Sequence, residues 1–125
     1  MLLRARMLYA GEVYSVGYGA LGVDDGLEQD ESMMPVKVVF PADSDGGSGE
    51  GGEVFIEHVD CSVDHAMAID RAGRLFAWGR GTWGRLGLGN DRNVTTPTQV
   101  PLPGRAVHVA CGGNHTVALV QEATP

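Results

Sequence analysis

Residues 65–89 read HAMAIDRAGRLFAWGRGTWGRLGLG, and this stretch decides the fold. In an extended chain Phe76 and Trp78 point to one side while Leu75 and Ala77 point to the other, so both faces of the strand are apolar. Such a strand must be covered twice, as in a parallel sheet, but no amphipathic stretch here supplies crossover helices. Sheets must supply the cover instead. The small residues Ala66, Ala68, Gly112, Gly113 and Ala118 would let neighbouring sheets come close.

Outward from this stretch the sequence repeats. Gly73-Arg74-Leu75-Phe76-Ala77-Trp78-Gly79 aligns with Gly11-Glu12-Val13-Tyr14-Ser15-Val16-Gly17 at an offset of 73 − 11 = 62. The same offset carries Gly19 onto Gly81, Gly22 onto Gly84, Pro35 onto Pro97 and Val38 onto Val100. Downstream, Val59–Ile69 aligns with Val109–Leu119 at 111 − 61 = 50, pairing Cys61 with Cys111 and His65 with His115. The offsets differ by 12, the length of Ala42–Glu53, ADSDGGSGEGGE, which has no residue able to anchor it in a core. An inserted loop of this kind costs only about 0.5 kcal/mol in closure entropy, so the underlying unit is about 50 residues long. The expected organisation is a divergent partial repeat over 1–41, a flexible insert over 42–53, a full repeat over 54–104 and the start of another over 105–125.

The order His-x-x-Ala, Gly-x-Leu-Phe-x-Trp-Gly, Gly-x-Leu-Gly-x-Gly and Pro-x-x-Val, followed by VACGGNHTVAL at 109–119, resembles the repeat of the regulator of chromosome condensation family. The match is specific over Val54–Val120. It is weaker over Tyr9–Val38, where VDDGLEQDESMM replaces the Leu-Gly-x-Gly segment. The resemblance implies an all-β fold, a partial β-propeller of about two to three antiparallel blades, because members close a ring of around seven such blades. The chain begins and ends inside a unit. It is therefore expected to be a piece of a longer protein, to pair with further repeats or another chain, or to order its terminal blades poorly.

Within this frame the repeat-structural positions are Gly17, Gly19, Gly22, Cys61, His65, Trp78, Gly79, Gly81, Gly84, Gly87, Gly89, Cys111, Gly112 and His115. Residues 17–22 and 79–84 both fit G-x-G-x-x-G, but a turn region follows instead of the helix a dinucleotide needs. The glycines are expected to serve positive φ and tight strand exits. Cys61, His65, Cys111 and His115 match zinc in number but not in the usual ligand spacing, and neighbouring blades would spread them apart, so no metal and no cofactor are expected. Cys61 with His65 is the only nucleophile and base pair close in sequence, and no third group orients it. No catalytic residue and no enzymatic activity are expected.

The charge divides along the chain. Glu12–Asp64 holds thirteen acids and one lysine, whereas Arg71–Arg105 holds six arginines and Asp91. A net charge of −7 argues against direct nucleic-acid binding by the whole surface. Arg80, Trp83, Arg85 and Arg92 cluster in one loop and mix the residue types enriched at interface centres, so they are the candidate partner-binding set. The 19 glycines suit turn-dense β structure, no run is long and apolar enough for a membrane span, and two cysteines are too few for a disulfide scaffold. An intracellular chain, cytoplasmic or nuclear, with a protein partner is the expectation. What the resemblance adds is a choice between an interaction scaffold and guanine-nucleotide exchange on a Ran-like small GTPase.

Overall fold

The computed structural model describes residues 3–9, 11–19, 21–22, 30–41 and 54–122. The 42–53 insert lies outside the described residues. Among the described residues, nine strands form three antiparallel sheets. The first holds β1 (Leu3–Tyr9), β2 (Glu12–Gly19) and β3 (Asp30–Lys37) in that order. The second holds β4 (Ile56–Cys61), β5 (His65–Asp70), β6 (Leu75–Gly79) and β7 (Val94–Val100), and the third pairs β8 (Gly104–Cys111) with β9 (Thr116–Glu122). Every pairing is between neighbours in sequence, which is a meander.

The middle sheet is covered on both faces, as the two-sided apolar strand requires. Ala66, Ala68, Phe76 and Trp78 pack with Val13, Leu21, Val38 and Ile56 toward the first sheet. Met67, Ile69, Leu75 and Ala77 pack with Leu86, Val100, Ala106 and Val109 toward the third. Every residue of β5 and β6 is buried. Phe40 adds an edge-on contact to Phe76 and to Trp78, with ring centroids 5.4 and 5.8 Å apart, the geometry aromatic quadrupoles favour.

The repeat governs backbone detail as well as packing. A bulge between Ser15 and Gly17 in the β2–β3 pairing recurs between Ala77 and Gly79 in β6–β7, and one between Ile56 and His58 in β4–β5 recurs between Ala106 and His108 in β8–β9. These are the 62- and 50-residue offsets. Gly17 and Gly79 sit at the first pair of bulges with φ of 116° and 111°, a region L side chains rarely enter. Joints between sheets repeat too: the Ile56 amide donates to the Gly11 carbonyl at 3.0 Å, and the Ala106 amide donates to the Gly73 carbonyl at 2.9 Å. Sheets approach each other at the β1, β4, β5 and β8 end and spread apart toward β3 and β7. This fanning, with one edge of each sheet gathered toward a common axis, is a partial propeller.

Candidate interaction rim

The loop from Arg80 to Asn93 joins β6 to β7 at one end of the middle sheet. Its shape is fixed by close backbone approach. A Cβ on Gly81 would run into the Arg92 carbonyl, and the Gly81 amide donates to Asn93 Oδ1 at 3.1 Å. Only glycine lets the two ends of the loop touch in this way. The Arg92 amide donates to Asn90 Oδ1 at 2.9 Å, a turn that asparagine makes with its own side chain. Between these anchors a single 3-10 turn, Thr82–Gly84, carries Trp83.

Trp83 is 80% exposed and has φ 66°, the one non-glycine residue with positive φ among the described residues. A tryptophan in the left-handed region costs about 1–2 kcal/mol relative to glycine there, and its exposed ring recovers little by burial. Arg80 and Arg92 are exposed nearby in the same loop. Arg80 reaches Asp64 Oδ2 at 3.5 Å, a long and largely solvated pair that leaves most of its guanidinium in water.

Arg85 departs from the expectation made for it. It is only 6% exposed, and its guanidinium is consumed inside the fold. Nε donates to the Thr82 carbonyl at 2.8 Å, Nη1 to Asp64 Oδ1 at 2.6 Å and to the Gly113 carbonyl at 2.9 Å, and Nη2 to Asn114 Oδ1 at 3.1 Å. A side chain so enclosed ties the middle sheet to the turn before β9 and is not presented to a partner. The planar fork makes this possible, since its donors are held in fixed directions that a lysine lacks.

The same junction contains His65, fully buried. Ser62 Oγ lies 2.6 Å from Nδ1, and Thr116 Oγ1 lies 2.9 Å from Nε2. Thr116 donates its hydroxyl proton to the Arg85 carbonyl at 2.9 Å, so toward His65 it accepts, which assigns the proton to Nε2 and leaves Nδ1 to accept from Ser62. Burial foremost, then the Arg85 cation, holds the imidazole pKa below its ordinary value, outweighing the opposing pull of Asp64 and Asp60. The ring is neutral near pH 7. Ser62 and His65 meet at a distance a nucleophile and base would use, yet the second nitrogen faces a hydroxyl and not a carboxylate. The network reads as a tie between blades.

Several other singled-out residues sit in the repeat frame. Cys61 ends β4 and Cys111 ends β8; the Cys111 amide donates to Asp60 Oδ2 at 2.7 Å, and neither cysteine forms a disulfide. Trp78 is buried between the first two sheets. Gly22, Gly84, Gly87 and Gly89 have positive φ, and Gly19 ends β2. His115 is exposed, and its ring closes over Gly112, where a Cβ would stand 2.5 Å from it. The four residues Cys61, His65, Cys111 and His115 do not converge: among the described residues no group of three His, Cys, Asp or Glu is placed to hold an ion. Sequence reasoning missed Asp64, Asn114, Ser62 and Thr116. The signal was a polar residue before each repeat histidine, Asp64-His65 and Asn114-His115.

Comparison with known proteins agrees with this architecture. The model of the regulator of chromosome condensation (RCC1) repeat matches residues 72–119. The human RCC1-like G exchanging factor-like protein is 34% identical over 111 residues, covering 89% of this chain and 23% of that protein. Human regulator of chromosome condensation is 34% identical over 120 residues, covering 90% of this chain and 25% of its own length. The chain thus spans about a quarter of the curated relatives it matches. Among solved structures, human WBSCR16 superposes with a TM-score of 0.78 at 33% identity, over 94% of this chain and 29% of that one. Repeats at the sequence offsets, sheets that fan from one edge and these matches lead to one conclusion: residues 72–119 form an RCC1 repeat, and the chain's homologues are RCC1 and RCC1-like proteins.

Proposed function

We propose that this chain acts as a docking surface for another protein, as a set of blades in a larger propeller, with Trp83 at the centre of the contact and Arg80 and Arg92 beside it. The observation that carries this reading is the exposed Trp83 held at positive φ. An aromatic ring kept in water on a strained backbone gains stability only when something covers it, and aromatic and arginine residues dominate interface energetics. The two exposed arginines select a partner whose matching patch is acidic, and they speed its encounter. The repeat-structural residues hold this loop on rigid sheets, which is how a scaffold presents a recognition loop. The protein would work inside the cell and carry out no covalent chemistry of its own.

A second reading has one observation in its favour: a relative is named as an exchanging-factor-like protein. Exchange would be catalysis through binding, in which the propeller holds the nucleotide-free form of a Ran-like GTPase. The two readings separate in one assay. A Ran-type GTPase loaded with fluorescent GDP is mixed with the protein. Accelerated release that Trp83→Ala and Arg80→Glu abolish supports exchange through this rim, whereas binding without release supports the scaffold. Binding that survives both substitutions removes the rim from either role.

A further inference from the structure

The edge where the sheets gather carries a pair of residues that the proposed docking surface does not use. His58 on β4 and His108 on β8 occupy the same position in successive repeats, 108 − 58 = 50. Each follows the bulge of its own strand, between Ile56 and His58 and between Ala106 and His108, so the two occupy equivalent backbone positions. β4 and β8 approach each other although they belong to different sheets. Both histidines are exposed, and their ring centroids stand 5.9 Å apart at an interplanar angle of 74°. No hydrogen bond to either ring is found among the described residues.

We propose that His58 and His108 form a two-imidazole seat for a divalent transition-metal ion of the zinc or copper type, bridging β4 of one blade and β8 of the next. The distances suit it. With metal–nitrogen bonds of about 2.1 Å, each ring centroid stands about 3.2 Å from the ion, and a tetrahedral angle puts the two centroids about 5.2 Å apart. The observed 5.9 Å needs a closure of well under 1 Å, which rotation of exposed side chains provides. Imidazole is the ligand type that zinc, copper and nickel share, and copper binds a given nitrogen set most tightly. No third protein donor stands beside the pair, since no group of three ligand-type residues is found among the described residues. Water would complete the coordination. The ion would add a tie between β4 and β8 beside the Cys111 amide bond to Asp60, and a ligand that binds the folded chain alone raises its stability.

The test uses the full chain with zinc chloride and copper chloride as probes. Calorimetric titration with zinc should give one ion per chain. His58→Ala and His108→Ala should each weaken it at least tenfold, and His115→Ala, an exposed histidine in the turn before β9, should leave it unchanged. Both altered side chains are exposed, so the variants keep their fold. Copper bound to the wild type should show superhyperfine coupling to two nitrogens by electron paramagnetic resonance, and to one in either variant. Zinc should also raise the melting temperature of the wild type by a few degrees and leave that of His58→Ala where it was. Undiminished zinc affinity in the double variant, or loss caused by only one of the two substitutions, would overturn the proposal.

Discussion

β5 and β9 stand at the same place in consecutive repeats, and their surroundings differ by one sheet. Every residue of β5 is buried, whereas β9 alternates between half-buried and exposed. Met67 and Ile69 are 1% and 2% exposed, but Val117 and Leu119, fifty residues on, are each 63% exposed. The chemistry of the two strands is alike, apolar on both faces. What differs is cover: Met67 and Ile69 meet β8, and the corresponding face of β9 meets nothing among the described residues. In a stacked architecture, burial belongs to the neighbour as much as to the strand. The face carrying Val117 and Leu119 therefore has the composition of a blade-to-blade joint.

Core truncation gives the largest separation between these regions. Phe76→Ala, in the doubly covered sheet, should destabilise by about 3–5 kcal/mol, because it removes a buried ring and leaves a cavity between two sheets. Leu119→Ala should change stability by no more than about 0.5 kcal/mol, since the side chain is mostly in water already. Urea unfolding of the two variants decides it. A loss of several kcal/mol on Leu119→Ala would break the comparison, showing that the outer face of β9 is covered in solution; a dependence on protein concentration would then identify the cover as a second copy.

A smaller effect contrasts two arginines on one acid. Arg85→Ala should cost roughly 3 kcal/mol, because Asp64, Asn114 and the Gly113 carbonyl lose a shared buried donor and the carboxylate is left without its main partner. Arg80→Ala, which removes the long solvated arm to the same Asp64, should fall within the error of the measurement. Lysine at position 85 should not restore the loss, having no fork to reach three acceptors. Equal effects of the two alanine variants would mean that the junction between the second and third sheets does not depend on the enclosed arginine.

The contrast also marks how far the sequence could be read. The two-sided strand at 75–78 and the offsets of 62 and 50 foretold stacked sheets, and the matching bulges at Ser15/Gly17 and Ala77/Gly79 show that the offsets reach down to backbone hydrogen bonding. Arg85 was not legible. Spacing placed it in the same loop as Arg80 and Arg92, but whether an arginine turns outward or inward depends on acceptors brought from the turn before β5 and from the turn before β9, which are distant in sequence. Trp83 was visible as a residue type and invisible as a conformation, because its positive φ arises from the closure of the Gly81–Asn93 loop. The His58 and His108 pairing needed β4 and β8 side by side, which periodicity alone did not give.

Next in size are two glycines of the same φ class in different surroundings. Gly79→Ala should cost about 2–3 kcal/mol: φ is 111°, and the new Cβ would stand 2.7 Å from the Cα of His65 on the paired strand. Gly89→Ala should cost about 1 kcal/mol, because φ is 81° but nothing lies within 4 Å of the added methyl, leaving backbone strain alone. Thermal unfolding of both separates the crowding of a blade interior from the strain of a loop.

The mildest effect follows from pH and concerns a covered residue, His65. His65 is neutral and buried, and its pKa is depressed, with burial as the main cause, whereas the unfolded chain titrates it near 6.5. Above that value both states are unprotonated and the residue adds no pH dependence. As pH falls below it, the unfolded chain binds a proton that the folded chain refuses until its own lower pKa is reached, so stability declines with acidification across that window. Stability curves from pH 8 down to about pH 5 should therefore slope downward below roughly 6.5. His65→Gln should flatten the part of that slope which His65 supplies, although its absolute stability falls for want of the Ser62 and Thr116 ties. A slope that His65→Gln leaves unchanged would reverse the assignment, placing the acid-sensitive group elsewhere than at the joint between the second and the third sheets.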